Sequence, residues 1–130
     1  MSFTITMQCF EHGGFSAFDR SLAWNVFASR AQWTIEGWAL WYEKLYQGVL
    51  SIDDGDLITG ISINRPGSLA FGDFYTVARA VPSLITWEYA CAVADPRFLA
   101  GFPDWLLTGF QKPPAIVYSA DQLMHSIARS

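Results

Sequence analysis

The sequence predicts an α+β fold: a mainly antiparallel, twisted sheet of about five to six strands, with three to four helices packed on it as a second layer. Three observations predict it. Apolar and polar residues alternate along residues 3–10, as in a half-buried strand. The acidic segment 53–56 separates two apolar stretches, which is typical of a hairpin. Segments with helical periodicity and capping residues lie between the strands.

The composition indicates one domain spanning residues 1–130. Hydrophobic residues make up 52 % of the 130 residues and aromatic residues 16 %, whereas 15 % are charged, against about 25 % in typical proteins. A chain of this length buries enough surface to fold without disulfides or metals. The aromatic excess therefore either fills a large core or is presented to a partner.

A strand and a helix are expected at the start of the chain. Residues 3–10 form the strand, and residues 12–14, His-Gly-Gly, end it. Ser16 is expected to open the helix through a loose capping box with Asp19. The side chains expected on the buried face of this helix are Phe18, Leu22 and Val26.

The segment Trp33–Tyr46 fits both a helix and a strand. Its apolar residues have helical spacing, but its aromatic content, Gly37 and the strand that follows favour a strand, which we adopt. Residues 48–52 and 57–63 then form a hairpin around residues 53–56. Because both faces of 57–63 are largely apolar, this strand is expected at the centre of the sheet.

Ser68 is the predicted N-cap of a second helix, which Pro82 ends. Its apolar side is expected to consist of Phe71, Phe74, Tyr75 and Ala78. Residues 84–89 are expected to form a strand, and 91–94 either continue it or start another.

Short helices and one more strand are expected in the last third. Asp95-Pro96 pairs an N-cap with proline at the first helical position, and residues 103–109 form a second short helix. A strand over 115–118 precedes a terminal helix, which a Ser119-x-x-Gln122 capping box begins. The side chains expected on one face of that helix are Leu123, Met124 and Ile127.

Charge and composition exclude several classes of protein. The net charge is −4 and no two basic residues are adjacent, so the basic footprint of a nucleic-acid-binding protein is missing. No apolar stretch is long enough to cross a membrane. Cys9 and Cys91 do not form a disulfide framework, and the N-terminus lacks the features of a signal peptide, so a cytoplasmic protein is expected. A basic protein partner suits the acidic charge.

No cofactor or metal is expected, and no catalytic residue is assigned. Residues 53–56 could suggest a calcium loop, but the remaining oxygen ligands are missing, so a hairpin turn is preferred. Cys9 and His12 could suggest a nucleophile pair, but they point to opposite faces of a strand. His125 has no histidine or carboxylate three or four residues after it, so a structural histidine is preferred over a ligand or a general base.

The segment 64–68 is the main candidate binding site. Asn64 ends a central strand, Arg65 supplies a forked cation, and the helix beyond Ser68 offers free N–H groups, so the three could hold a carboxylate or phosphate. The alternative is an Arg65 that pairs locally, for instance with Asp73, beside an ordinary Pro-Gly turn.

Trp24 is the second candidate. It lies opposite Phe18 on the predicted helix, where an exposed tryptophan suits a contact hot spot. The alternative is a second packing face against a loop.

These features lead to two hypotheses about function and one about oligomeric state. The first function is a small acidic, non-catalytic binding protein that acts by protein–protein contact, for example an immunity protein or antitoxin. The second is a small-molecule-binding or enzymatic α+β domain whose aromatic pocket is anchored by Arg65. Either is compatible with a homodimer, because a chain this apolar could bury a sheet face or edge against a second copy.

Overall fold

The computed structural model describes residues 3–129, so residues 1, 2 and 130 of the expected domain lie outside the description. The strands are β1 (Thr4–Glu11), β2 (Gly14–Phe15), β3 (Phe18–Asp19), β4 (Ala31–Thr34), β5 (Gly37–Tyr42), β6 (Leu45–Ser51), β7 (Leu57–Ile58), β8 (Gly60–Asn64), β9 (Ser83–Trp87), β10 (Ala90–Val93) and β11 (Ala115–Ile116). The α-helices are α1 (Arg20–Phe27), α2 (Ser68–Ala80) and α3 (Ala120–Arg129), and 3-10 turns cover Ala28–Arg30, Pro96–Gly101 and Leu107–Gly109.

The predicted α+β class is confirmed. The large sheet has the order β11-β10-β9-β1-β8-β6-β5-β4, with β2 folded back on β1, and its described pairs are antiparallel except β10 with β11. A separate small sheet joins β3 to β7. The strands outnumber the five to six expected, because four of them have only two residues, too few to show periodicity in the sequence, and because the segment 33–46 is divided among strands.

The three helices cover one face of the large sheet. Their buried side chains pack on a core that β1, β8 and β9 supply through Ile5, Met7, Ile63 and Ile85. The predicted stripe of α2 is confirmed, since Phe71, Phe74, Tyr75 and Ala78 are all buried in this core. The expected face of α3 also packs here through Leu123, Met124 and Ile127.

The opposite face is covered only at one end. There Phe10, Leu84 and Phe102 form a second core with the segment 96–110. On the remaining part of this face, over β1, β8, β6 and β5, no helix of the described residues packs, and we call this part the open face. Strand registers place these side chains on it: Thr4, Thr6, Trp41, Tyr46, Val49, Ser51, Ser62, Asn64 and Thr86.

The predicted start of the first helix is wrong. Helix α1 begins at Arg20 with Asp19 as its N-cap, not at Ser16, and the Asp19 carboxylate accepts a hydrogen bond from Ser21 N at 2.9 Å. Phe18 precedes the helix because it pairs with Ile58 in the small sheet, which keeps residues 18–19 extended.

The buried side of α1 therefore differs from the predicted one. Ala23 and Phe27 are fully buried, whereas Leu22 is 48 % exposed and Val26 is half-buried. The later start of the helix explains the difference, because it leaves Phe18 outside the periodic pattern on which the stripe was based.

The segment Trp33–Tyr46 is extended, as the strand interpretation predicted, but it is not a single strand: it contains the end of β4, all of β5 and the first two residues of β6. The hairpin around residues 53–56 is also confirmed, since β6 pairs with β8 in an antiparallel manner. Its connection is longer than a four-residue turn, because Leu57 and Ile58 leave the large sheet to pair with β3. Strand β8 lies between β1 and β6, as expected for a central strand.

The caps near the C-terminus follow the sequence. The Asp95 carboxylate accepts from Arg97 N at 2.9 Å, and Ser119 Oγ accepts from Gln122 N at 3.1 Å. The segments after Asp95 and Pro103 form 3-10 turns rather than α-helices. Within residues 3–129, every helix is too short or too polar to cross a bilayer.

Tyr42 makes a part-buried polar contact between the sheet and α2. Its hydroxyl donates a hydrogen bond to Asp73 Oδ2, and the Arg30 guanidinium lies 4.6 Å from the centre of its ring. Burial, then the Asp73 carboxylate, raise the pKa of the Tyr42 phenol. Because the folded state disfavours the ionised phenol, the fold is more stable at pH values at which tyrosine is neutral than at those at which it ionises.

We expect the free energy of unfolding to fall as the pH rises above about 10, the usual tyrosine value, towards the raised pKa of Tyr42. Tyr42→Phe should lower stability by about 1–2 kcal/mol at neutral pH and flatten that alkaline decline. Urea unfolding from neutral to alkaline pH measures both effects, with Tyr118→Phe as the control because Tyr118 is exposed. An unchanged alkaline decline in Tyr42→Phe would contradict this role.

Candidate functional site

A pocket of about 430 Å³ lies on the open face. We call it the Arg65 pocket, and its walls come from the end of β8, the middle of β6 and the turn between β4 and β5. The residues that line it are Glu36, Tyr46, Val49, Ser51, Asn64 and Arg65.

The backbone at the end of β8 positions Asn64 and Arg65. Arg65 has a left-handed φ of 55°, and its N–H donates to Phe3 O at 2.6 Å. Gly48 of β6 passes so close that a Cβ on it would meet Asn64 O at 2.6 Å. Thr4 Oγ1 donates to Asn64 Oδ1 at 3.1 Å, which orients the amide. Contacts with the backbone of Phe3 and Gly48 thus fix the positions of Asn64 and Arg65.

An aromatic pair adjoins the pocket on the open face. The rings of Trp41 and Tyr46 lie 5.4 Å apart, and the side chains are 40 % and 47 % exposed. A register shift between Ala39 and Trp41 in the β5–β6 pairing sets which residues oppose each other here. Because tyrosine and tryptophan combine apolar area with a polar group, this pair suits contact with another molecule.

The charges at the pocket are one guanidinium and one carboxylate. Arg65 and Glu36 both line it, yet the one ion pair within residues 3–129 joins Arg97 to Asp95. Asp73, the local partner considered for Arg65, instead accepts a hydrogen bond from Tyr42. The Arg65 guanidinium therefore remains available to an anionic group.

The N-terminus of α2 is already occupied. Gln47 Oε1 accepts from Leu69 N at 2.9 Å and from Ala70 N at 3.3 Å. Gly67, not Ser68, is the N-cap residue, and Ser68 is exposed outside the Arg65 pocket. Of the expected anion-holding groups, the structure thus brings Asn64 and Arg65 together without Ser68.

Trp24 lies on the helix-covered side of the sheet, away from the open face. It is half-buried, with its ring 4.8 Å from that of Trp38 and the Arg20 guanidinium 4.8 Å from its centre. The ring of Trp38 also contacts Trp33, whose ring centre lies 5.0 Å away. Of these tryptophans, Trp33 is the exposed one. Trp24 thus packs against a strand and is not part of the Arg65 pocket.

The sequence alone did not identify three residues of this surface, Glu36, Trp41 and Tyr46. The signal that could have identified them was the alternation along Trp33–Tyr46, but it competed with a helical pattern over the same residues. Which of the two faces a helix would cover could not be read from that alternation.

The sequence motifs that suggested chemistry lie apart from this pocket. Cys9 is buried on the helix-covered face, where burial raises the pKa of its thiol, while His12 is exposed in the β1–β2 turn. Within residues 3–129, no three histidine, cysteine or acidic side chains are placed to share a metal ion.

Comparison with known proteins identified no similar protein. The chain matches no protein-family model, no curated protein and no solved structure.

Proposed function

We propose that this chain is a small acidic, non-catalytic binding protein that acts by protein–protein contact, in the manner of an immunity protein or antitoxin. The observation that carries this proposal is the exposed Trp41–Tyr46 pair on a sheet face that none of the helices within residues 3–129 covers. Aromatic side chains on such a surface are frequent hot spots of protein interfaces.

Charge supports a basic partner. The chain has a net charge of −4. Glu36 flanks the aromatic pair in the Arg65 pocket, and Asp53 lines the neighbouring part of the open face. Although Arg65 also lines this pocket, the acidic net charge and these two carboxylates on the open face favour a cationic surface and would speed association with it at low salt.

Affinity purification from host lysate, followed by mass spectrometry, tests this function. We expect a basic protein in equal amount, whose binding is weakened at least about tenfold by Trp41→Ala or Tyr46→Ala. Trp105→Ala is the control, since Trp105 is also an exposed aromatic residue, at 60 %, but lies in the segment 96–110. Glu36→Lys should slow association and reduce its dependence on salt.

An inhibition assay separates a functional partner from an incidental one. If the captured protein is a toxin or an enzyme, wild-type chain should block its activity and Trp41→Ala should not. Capture that survives both aromatic substitutions, or a partner without basic character, would contradict the proposal.

The second candidate is a small-molecule-binding or enzymatic domain, and the available guanidinium of Arg65 beside Asn64 favours it. A ligand screen by thermal shift on wild type and Arg65→Ala tests this idea. Stabilisation by an anionic compound that Arg65→Ala abolishes, with the variant still folded, would support it over the protein-binding proposal.

Two further parts of the proposal concern assembly and compartment. A homodimer would extend the sheet at β4, the edge strand that carries exposed Trp33; light scattering measures its mass directly. The cytoplasm is the proposed location, because Cys9 and Cys91 are free thiols buried in the fold.

A further inference from the structure

A second pocket, of about 380 Å³, lies between the last turns of α3 and the β9–β10–β11 end of the sheet. We call it the Lys112 pocket. The residues that line it are Trp87, Ala90, Cys91, Lys112, Pro113, Ala115, His125, Ser126 and Arg129. It is separate from the Arg65 pocket, with which it shares no residue.

The inner wall of the Lys112 pocket is apolar. Trp87 and Cys91 are buried, and the small side chains of Ala90 and Ala115 are half-buried at the same wall. Burial raises the pKa of the Cys91 thiol to about 11, so this side chain is neutral and adds to the apolar wall. Such a surface suits a flat hydrocarbon group.

The rim of the pocket is cationic. Lys112 and Arg129 are exposed there, and the described residues that line the pocket include no aspartate or glutamate. Neither side chain belongs to the one ion pair found within residues 3–129. Glu88 lies in an adjoining pocket that Lys112 also lines, without reaching ion-pair distance. Two of the eight cationic residues of an acidic chain thus meet at one opening.

Arg129 is held over this opening. Its Nη1 atom lies 3.3 Å from His125 Nε2, one helical turn earlier. Because a guanidinium only donates hydrogen bonds, His125 accepts through Nε2. The contact directs the Arg129 fork along α3 and leaves its other N–H groups for a ligand. A cation in the last turn also suits the helix dipole, but the dipole does not account for Lys112, which lies outside α3.

We propose that the Lys112 pocket binds a small organic carboxylate with an aromatic or other flat apolar body. The body would lie against Trp87, Ala90 and Ala115, and the carboxylate would contact Lys112 and Arg129. Arginine pairs with a planar carboxylate through two parallel hydrogen bonds, whereas lysine adds a point charge. This inference does not depend on the function proposed for the open face.

NMR titration of ¹⁵N-labelled protein with 2-naphthoate tests the proposal, and uncharged 2-naphthamide serves as the matched compound. We expect naphthoate to shift the amide signals of Ala90, Ala115 and Ser126, with at least about tenfold weaker binding of naphthamide, as loss of a charge-assisted hydrogen bond implies. Lys112→Gln and Arg129→Gln should each weaken naphthoate binding to a similar degree.

Two substitutions elsewhere serve as controls. Lys44→Gln removes an exposed cation from the β5–β6 turn, and Arg65→Gln removes the cation of the other pocket; both should bind naphthoate as wild type does. Because Lys112 and Arg129 are exposed, their variants should keep the wild-type spectrum away from the site. Equal binding of naphthamide, shifts confined to the Arg65 pocket, or no saturable shift would each overturn the proposal.

Discussion

Gly60→Ala is expected to lower the free energy of unfolding by about 3 kcal/mol or more. Gly60 begins β8, the strand between β1 and β6. A Cβ there would lie 2.2 Å from Met7 O and 3.3 Å from the Cα of Gln8. These are backbone atoms of the neighbouring central strand, so no side-chain rotation relieves the clash. The two strands would have to separate, which disturbs the core beneath Met7.

Gly72→Ala provides the matched comparison, because the chemical change is identical. Gly72 lies inside α2, and nothing is within 4 Å of a Cβ added to it. Alanine should therefore stabilise the helix by about 0.5–1 kcal/mol. Urea unfolding of both variants measures the contrast. If Gly72→Ala lowered stability, or if Gly60→Ala left stability unchanged, the packing around these two glycines would differ from that described above.

Gln47→Met is expected to cost about 2 kcal/mol, the second-largest effect. Gln47 is the buried side chain whose Oε1 accepts from Leu69 N and Ala70 N at the start of α2. Methionine matches its length but offers no comparable acceptor, so the buried N–H of Ala70 and the part-buried N–H of Leu69 both lose their partner. The helix that carries much of the core would then be less firmly attached to β6.

Two variants distinguish this capping role from simple loss of packing. Gln47→Glu keeps an acceptor at the helix N-terminus and should retain more stability than Gln47→Met. Ser68→Ala removes the residue that the sequence indicated as the cap, and it should change stability by less than about 0.5 kcal/mol because Ser68 is exposed. Chemical denaturation gives all three values. A larger loss of stability in Ser68→Ala than in Gln47→Met would indicate that Ser68, not Gln47, caps the helix.

The contrast between Gln47 and Ser68 shows where local sequence was sufficient. Ser119 and Gln122 cap α3 as predicted, because both partners lie within one turn of each other along the chain. Gln47 lies more than twenty residues before the helix it caps, and only the packing of α2 on β6 brings the two together. No pattern near Ser68 contains that information.

The same distinction applies to the open face. Alternation in β1 and the apolar stripe of α2 follow from side-chain periodicity, so the α+β class, the central position of β8 and the core of α2 could be predicted from the sequence. Periodicity tells which residues share a face but not which face a distant helix covers. Only the tertiary structure brings Trp41, Tyr46 and Arg65 together on the open face. Strand order and a register shift place them side by side, and the three helices pack on the other side of the sheet.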